Sequence, residues 1–212
     1  MNKPDPDRKI KDLEKEISRL KKLAHYDELT GLYNRRGFIN AISDFIKALE
    51  SEFSGFGKER KLKIGNLSIV FADLNKFKQI NDRFGHQCGD ELLIAFGKLL
   101  FKNVRGVDAV GRWSGDEFVI ALIGADKQDA EAVVKKISND LIGRAFDVCG
   151  VEKNPVSASF GVASVYDETR KPRLVFDLKK LIAEADKEMY KEKSKGSAKG
   201  GPAFGGKRQK SK

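Results

Sequence analysis

Asp73 follows a short apolar run, Leu67 to Ala72, and Asp116-Glu117 open a second one, DEFVIALI. If those runs are neighbouring strands, three carboxylates meet at one end of a sheet. Such a set suits a hard cation, because magnesium takes a few carboxylate oxygens and completes its shell with water and substrate phosphates. Metal held there can activate a hydroxyl and stabilise the leaving group of an in-line displacement at phosphorus. Acidic residues at strand ends are also often merely solvated, so their surroundings must decide.

Downstream of Asp73, the segment LNKFKQIND places the N–H groups of a helix start beside Lys76 and Lys78. That combination suits a triphosphate. Asn81 and Asp90 can each read a base edge, and the carboxylate of Asp90 accepts from the N1 and N2 donors that guanine has and adenine lacks. His86 lies between them. The plainer roles are helix capping for Asn81 and Asp90 and a satisfied hydrogen bond for His86.

The elements that must position these residues follow from periodicity. LSIVFA (67 to 72) reads as a strand, and helical segments follow near 76 to 84 and 90 to 103, the second with Leu92, Phe96, Leu99 and Leu100 on one face. DAVGRW (108 to 113) and DEFVIALI (116 to 123) are predicted to form a hairpin with Ser114-Gly115 as its two-residue loop. Ala130, Val133, Val134, Ile137 and Leu141 mark another helix. In VSASFGVA (156 to 163), Val156, Ala158, Phe160 and Val162 alternate onto one face. With helices at 35 to 50 and 174 to 192, the expected fold is α+β, a ferredoxin-like or palm-type βαββαβ sheet with added helices. Residues 51 to 66 read as a loop.

The net charge of +10 could indicate nucleic acid or an anionic surface, but its distribution argues against both. Residues 1 to 25 hold 8 basic and 5 acidic side chains and residues 191 to 212 hold 8 and 1, which leaves 25 of each between them. Ile10, Leu13, Ile17, Leu20 and Ala24 form a heptad seam whose Ile and Leu placement favours a parallel pair. Across such a pair Lys9 faces Glu14 and Glu16 faces Lys21. An amphipathic helix packed on its own domain is the alternative. The expected division is therefore a coiled-coil helix over 1–23, a domain over 24–195, and a disordered basic tail over 196–212. No apolar run reaches the roughly 18 residues of a spanning helix. With no apolar leader at the N-terminus, a cytoplasmic protein without stable membrane insertion is expected. Cys88 and Cys149 read as small, partly buried residues.

Five segments carry a family resemblance: AHYDELTGLYNRRGF (24 to 38), FADLNKFKQINDRFGHQCGDELL (71 to 93), RGVDAVGRWSGDEFVIAL (105 to 122), SASFGVA (157 to 163) and EADKEMYKEK (184 to 193). In order and spacing they resemble the GGDEF-domain diguanylate cyclases. The resemblance implies condensation of two GTP into cyclic di-GMP with release of two pyrophosphates, across a homodimer in which each domain holds one nucleotide. It implies Asp73, the Leu74 carbonyl and Asp116 as ligands of magnesium, or of manganese in its place. Glu117 would assist deprotonation of the attacking 3'-hydroxyl, directly or through a second metal. Lys78 and Lys193 would neutralise phosphate charge, Asn81 and Asp90 would hold guanine, and His86 falls in the same guanine-side segment. Ser114 and Gly115 would lie against the nucleotide. Arg105 and Asp108 form an RxxD at the offset of the family's inhibitory product site.

Two departures bear on activity. The signature reads Ser114-Gly115-Asp116-Glu117-Phe118, with serine for the first glycine, where a left-handed backbone would cost an L-residue roughly 1–2 kcal/mol. Gly196-Ser197-Ala198 stands where the family often has Gly-Arg-Asn, so a phosphate-contacting arginine is missing. A weak or silent GTP- or cyclic di-GMP-binding module is the competing reading. Polymerase-like transfer onto nucleic acid gains little support from a neutral domain.

Overall fold

The computed structural model describes residues 6–53, 66–143, 156–165 and 177–198. Helix α1 (Pro6–His25) leads into a two-residue strand β1 (Tyr33–Asn34) and helix α2 (Arg35–Phe53). Strand β2 (Leu67–Leu74) is followed by helices α3 (Phe77–Phe84) and α4 (His86–Lys102), then by the hairpin β3 (Ala109–Ser114) and β4 (Glu117–Ile123). Helix α5 (Lys127–Gly143), strand β5 (Ala158–Ser164) and helix α6 (Leu178–Ala198) complete it.

The sheet order is β1-β3-β4-β2-β5. Its four main strands have the ferredoxin-like βαββαβ arrangement, every pairing among them antiparallel. The short β1 adds a parallel edge beside β3, where Tyr33 and Asn34 face Gly111 and Arg112. Because β2 is central it is buried on both faces. Val70, Ala72 and Leu74 join Leu92, Phe96 and Leu100 of α4 and Ile137 of α5 in one core layer. Leu67, Ile69 and Phe71 point the other way, onto Phe38 and Ile42 of α2 and Ala185 and Met189 of α6. Helices α3, α4 and α5 thus cover one face and the added α2 and α6 the other. The expected alternation in β5 holds, with Val156, Ala158, Phe160 and Val162 all on the α4 side.

Several boundaries differ from expectation: β2 runs on through Asp73 to Leu74, and α4 starts at His86 and not near 90. The hairpin loop is Gly115-Asp116, since Ser114 pairs with Glu117. A register shift between Arg112 and Ser114 leaves Trp113 as an extra, bulged residue, which moves the turn by one. Trp113 meets Phe38 and Phe71 edge-on and carries the Arg35 guanidinium over its ring at 4.5 Å. Helix α2 continues to Phe53 into the expected loop, and α6 runs on through Gly196-Ser197-Ala198, residues assigned above to the tail. Cys88 is buried more completely than expected; Cys149 and the rest of the tail lie outside the described residues.

Helix α1 keeps its apolar seam off its own domain. Ile10, Leu13, Ile17 and Leu20 are each 51–54% exposed, so intramolecular packing is not what their spacing serves. None of the helices among the described residues is long and apolar enough to cross a membrane.

Candidate active site

The end of β2 brings the acidic residues together. Asp73 pairs across the sheet with Glu117 on one side and Ser159 on the other, so Asp73 and Glu117 leave the same face. That face is covered by α6, and Lys193 sets its Nζ 2.5 Å from Asp73 Oδ1. Asp116 lies in the hairpin turn, its carbonyl 3.4 Å from the Leu74 N–H. Burial pushes the Asp116 carboxyl above its ordinary pKa, and the negative charge of Asp73 pushes the same way. Two like charges held together at a half-buried strand end are a donor set that gains from a hard cation. Asp73, Asp116 and the Leu74 carbonyl, beside Glu117, could therefore hold a hard divalent cation such as magnesium. Among the described residues no three acidic, His or Cys side chains close into a finished metal centre. The expected meeting of three carboxylates is thus a proximity, with a lysine on Asp73, and not a preformed cage.

Neighbouring contacts fix this strand end. Asn75, two positions beyond Asp73, is tied to β5. Its N–H donates to the Ser157 carbonyl, its amide donates to Ser157 Oγ, and its Oδ1 accepts from Ser159. Lys76 follows with a left-handed backbone (φ 60°), the single non-glycine with positive φ among the described residues. Lys193 is delivered by two contacts between α6 and β5. Glu192 accepts from the Phe160 N–H, and Gly161 lets the helix backbone lie directly on β5. On the far side of the hairpin, Arg112 donates from Nε to the Gly115 carbonyl at 2.8 Å and from Nη1 to Asp27 at 3.2 Å. Burial would raise the Asp27 carboxyl, but hydrogen bonds from Thr30 and the Arg112 charge hold it below the ordinary carboxylate range.

The residues expected on the guanine side gather where α3 meets α4. Asn81 Oδ1 is buried without a hydrogen-bond partner, and a Cβ built on Gly89 would lie 1.9 Å from it. A buried acceptor without a donor is costly and calls for a ligand N–H. A side chain at position 89 would displace the Asn81 amide from this place. Asp90 is the next residue and exposed; His86, the first residue of α4, and Lys78 on α3 are exposed too. Lys78 and His86 are not drawn into the Asp73 cluster.

Ser114 does not carry the expected strain: it is a strand residue, and the positive φ (45°) belongs to Gly115. Arg105 and Asp108 form a bidentate pair, Nε to Oδ2 at 3.1 Å and Nη2 to Oδ1 at 3.0 Å. Asp108 also accepts from the Ile123 N–H, and its side chain is only 1% exposed against 62% for Arg105. The aspartate is a fixture of the hairpin base; the arginine, although exposed, is held there too, by that pair and by donation from Nη2 to the Ile123 carbonyl.

A family model described as diguanylate cyclase, GGDEF domain, matches residues 24–199. The chain belongs to the GGDEF family. Among curated relatives it is 32% identical over 177 residues to the response regulator PleD of Caulobacter vibrioides, covering 82% of this chain and 35% of that protein. The diguanylate cyclase DgcP of Escherichia coli is 31% identical over 170 residues, 80% of this chain and 45% of that one. The chain thus spans about a third to a half of the length of such relatives. Among solved structures, the diguanylate cyclase SiaD of Pseudomonas aeruginosa, in complex with its activator SiaC, matches at 27% identity with a TM-score of 0.67, over 90% of this chain and 66% of that one. The coiled coil and GGDEF domain of DgcB from Caulobacter crescentus gives a TM-score of 0.71 over 90% and 91% of the two chains; at 18% identity it is a likeness of fold.

Proposed function

We propose that this protein is a diguanylate cyclase that condenses two GTP into cyclic di-GMP and two pyrophosphates, with magnesium held by Asp73, Asp116 and the Leu74 carbonyl. The observation that carries the reading is the opposition of Asp73 and Glu117 on adjacent strands, with Asp116 in the turn beside them, inside a family-matched domain. The metal, when bound, supplies charge neutralisation and acidifies the attacking hydroxyl. Glu117 takes up the proton of the 3'-hydroxyl. Lys193 and Lys78 balance phosphate charge, with Ser114 and Gly115 alongside the nucleotide. Asn81 and Asp90 hold the guanine edge, and the orphaned Asn81 Oδ1 supports that role; His86 stands at the same end of α4.

One domain holds one nucleotide, so the reaction requires two domains face to face. The exposed Ile10, Leu13, Ile17 and Leu20 of α1 supply a seam for a parallel pair, which raises the effective concentration of one half-site for the other. The deciding experiment incubates the protein with GTP and magnesium over a range of protein concentrations, with Asp116→Ala and Glu117→Gln as controls, and identifies products by chromatography and mass. Cyclic di-GMP from the wild type alone is expected. Its absence, with tight cyclic di-GMP binding retained, would favour a binding module.

Arg105 and Asp108 are proposed as the inhibitory product site. Arg105→Ala is expected to raise the cyclic di-GMP concentration that halves the rate by about tenfold or more, the loss of a bidentate charged contact. Progress curves check this, since the variant should stay linear after the wild type has slowed. Alanine at Asp108 is the poorer test, because that side chain also anchors Ile123.

A further inference from the structure

Ser114 makes a contact that the glycine usual at its position could not. Ser114 and Glu117 form the last cross-strand pair before the turn, and Ser114 Oγ donates to Glu117 Oε2 at 2.8 Å. The bond costs the backbone nothing, because Ser114 keeps a negative φ and Gly115 absorbs the turn. The backbone of that turn is held separately by Arg112 on the Gly115 carbonyl. Ser114 therefore acts on the side chain of Glu117 and not on the path of the hairpin. Glu117 is half-buried at a strand end, and its Oε1 receives no hydrogen bond from the described residues. A glutamate so placed would otherwise rotate freely about its side-chain torsions, and fixing it at the moment of reaction would cost that freedom.

We propose that Ser114 is a positioning residue that holds Glu117 in one rotamer, with Oε2 engaged and Oε1 left for the metal or for the proton of the attacking hydroxyl. The inference rests on the cyclase reading above and assigns the hydroxyl to the carboxylate, not to the nucleotide. Serine in place of the first signature glycine then adds a contact without straining the turn: its side chain sets the orientation of the carboxylate.

The test compares the full chain with S114A, S114G and S114T in three measurements: steady-state kinetics with GTP, calorimetric titration of the nucleotide-free protein with Mn2+, and thermal unfolding. In S114A and S114G kcat should fall about tenfold, the scale of one hydrogen bond to a charged group, with KM for GTP within about twofold. Threonine keeps the hydroxyl and should restore kcat. The Mn2+ affinity should weaken in the alanine and glycine variants but not in threonine, and the melting temperature should not move. A fall in kcat with unchanged Mn2+ affinity also supports the proposal, through the proton and not the metal. Wild-type kcat in S114A overturns it, as does a joint loss of kcat, KM and melting temperature, which marks a merely structural residue. If the wild type itself makes no cyclic di-GMP, the cyclase reading fails, and the Mn2+ titration alone decides: equal affinities in wild type and S114A overturn the role of Ser114.

Discussion

Asp73→Asn should lower cyclic di-GMP formation by about a thousandfold or more while leaving the protein folded and its melting temperature at neutral pH unchanged or slightly raised. The activity loss follows from chemistry. An amide supplies one neutral oxygen where the site needs charge, and the cation it would help hold both acidifies the hydroxyl and neutralises the phosphates. The stability argument runs the other way. Asp73 is 6% exposed and close enough to Asp116 to push that carboxyl above its ordinary pKa, after burial, which is the larger cause. A carboxyl raised in the folded state stabilises the fold below its unfolded pKa and loses that contribution as pH rises through the folded one. The Asp73 charge disfavours ionisation of Asp116 beside it, so removing that charge relieves the fold. The loss of the Lys193 partner weighs little, because that ammonium is 38% exposed and finds water. Activity assays beside thermal unfolding at neutral pH check both halves. A variant that loses activity because it unfolds would show that Asp73 is a structural residue.

The acidic site was readable because its residues sit at the ends of apolar runs: LSIVFA is almost continuously apolar, as a strand buried on both faces must be. The hairpin turn was misplaced by one residue for a reason local sequence does not carry. The bulge at Trp113 exists because Arg112 and Ser114 pair with Phe118 and Glu117 across the hairpin, and register is a property of two strands together. The strain expected of Ser114 vanished with that shift. Strand β1 is too short for any period to mark, and its partner is over seventy residues away at Gly111 and Arg112. The supports of the site were equally silent in the sequence. Asp27 to Arg112, Asn75 to Ser157 and Ser159, and Glu192 to Phe160 join residues from 32 to 85 positions apart. Asp27 and Arg112 each fall inside a recognisable segment, but nothing in either segment pairs them. Asn81 shows the converse case: its type suggested a ligand contact, and the structure gives it a buried, unpartnered oxygen.

Gly161→Ala should both destabilise the protein and cripple the site, acting through α6, whose Lys193 lies one turn, roughly 6 Å of helix, beyond Met189. A Cβ at this position would lie 2.0 Å from the Ala185 carbonyl oxygen and 2.2 Å from the Met189 nitrogen. These are backbone atoms of a helix and have no rotamer into which to withdraw, so α6 must lift off the sheet as a unit. Leu181, Ile182, Ala185 and Met189 are all buried against β2 and β5 and would lose close contact together. Overpacking typically costs about 1–3 kcal/mol, and a clash with backbone belongs at or above the upper end. At about 2–4 °C per kcal/mol for a domain of this size, the melting temperature should fall by roughly 6–12 °C. The same lift breaks the Glu192 contact with Phe160 and draws Lys193 away from Asp73, so the variant that remains folded at low temperature should still turn over GTP more slowly. Gly106→Ala is the matched control, because a Cβ there meets nothing within 4 Å, and its melting temperature should stay at the wild-type value. If Gly161→Ala melts like Gly106→Ala, then α6 does not rest on β5 backbone to backbone, and the placement of Lys193 by that helix falls with it.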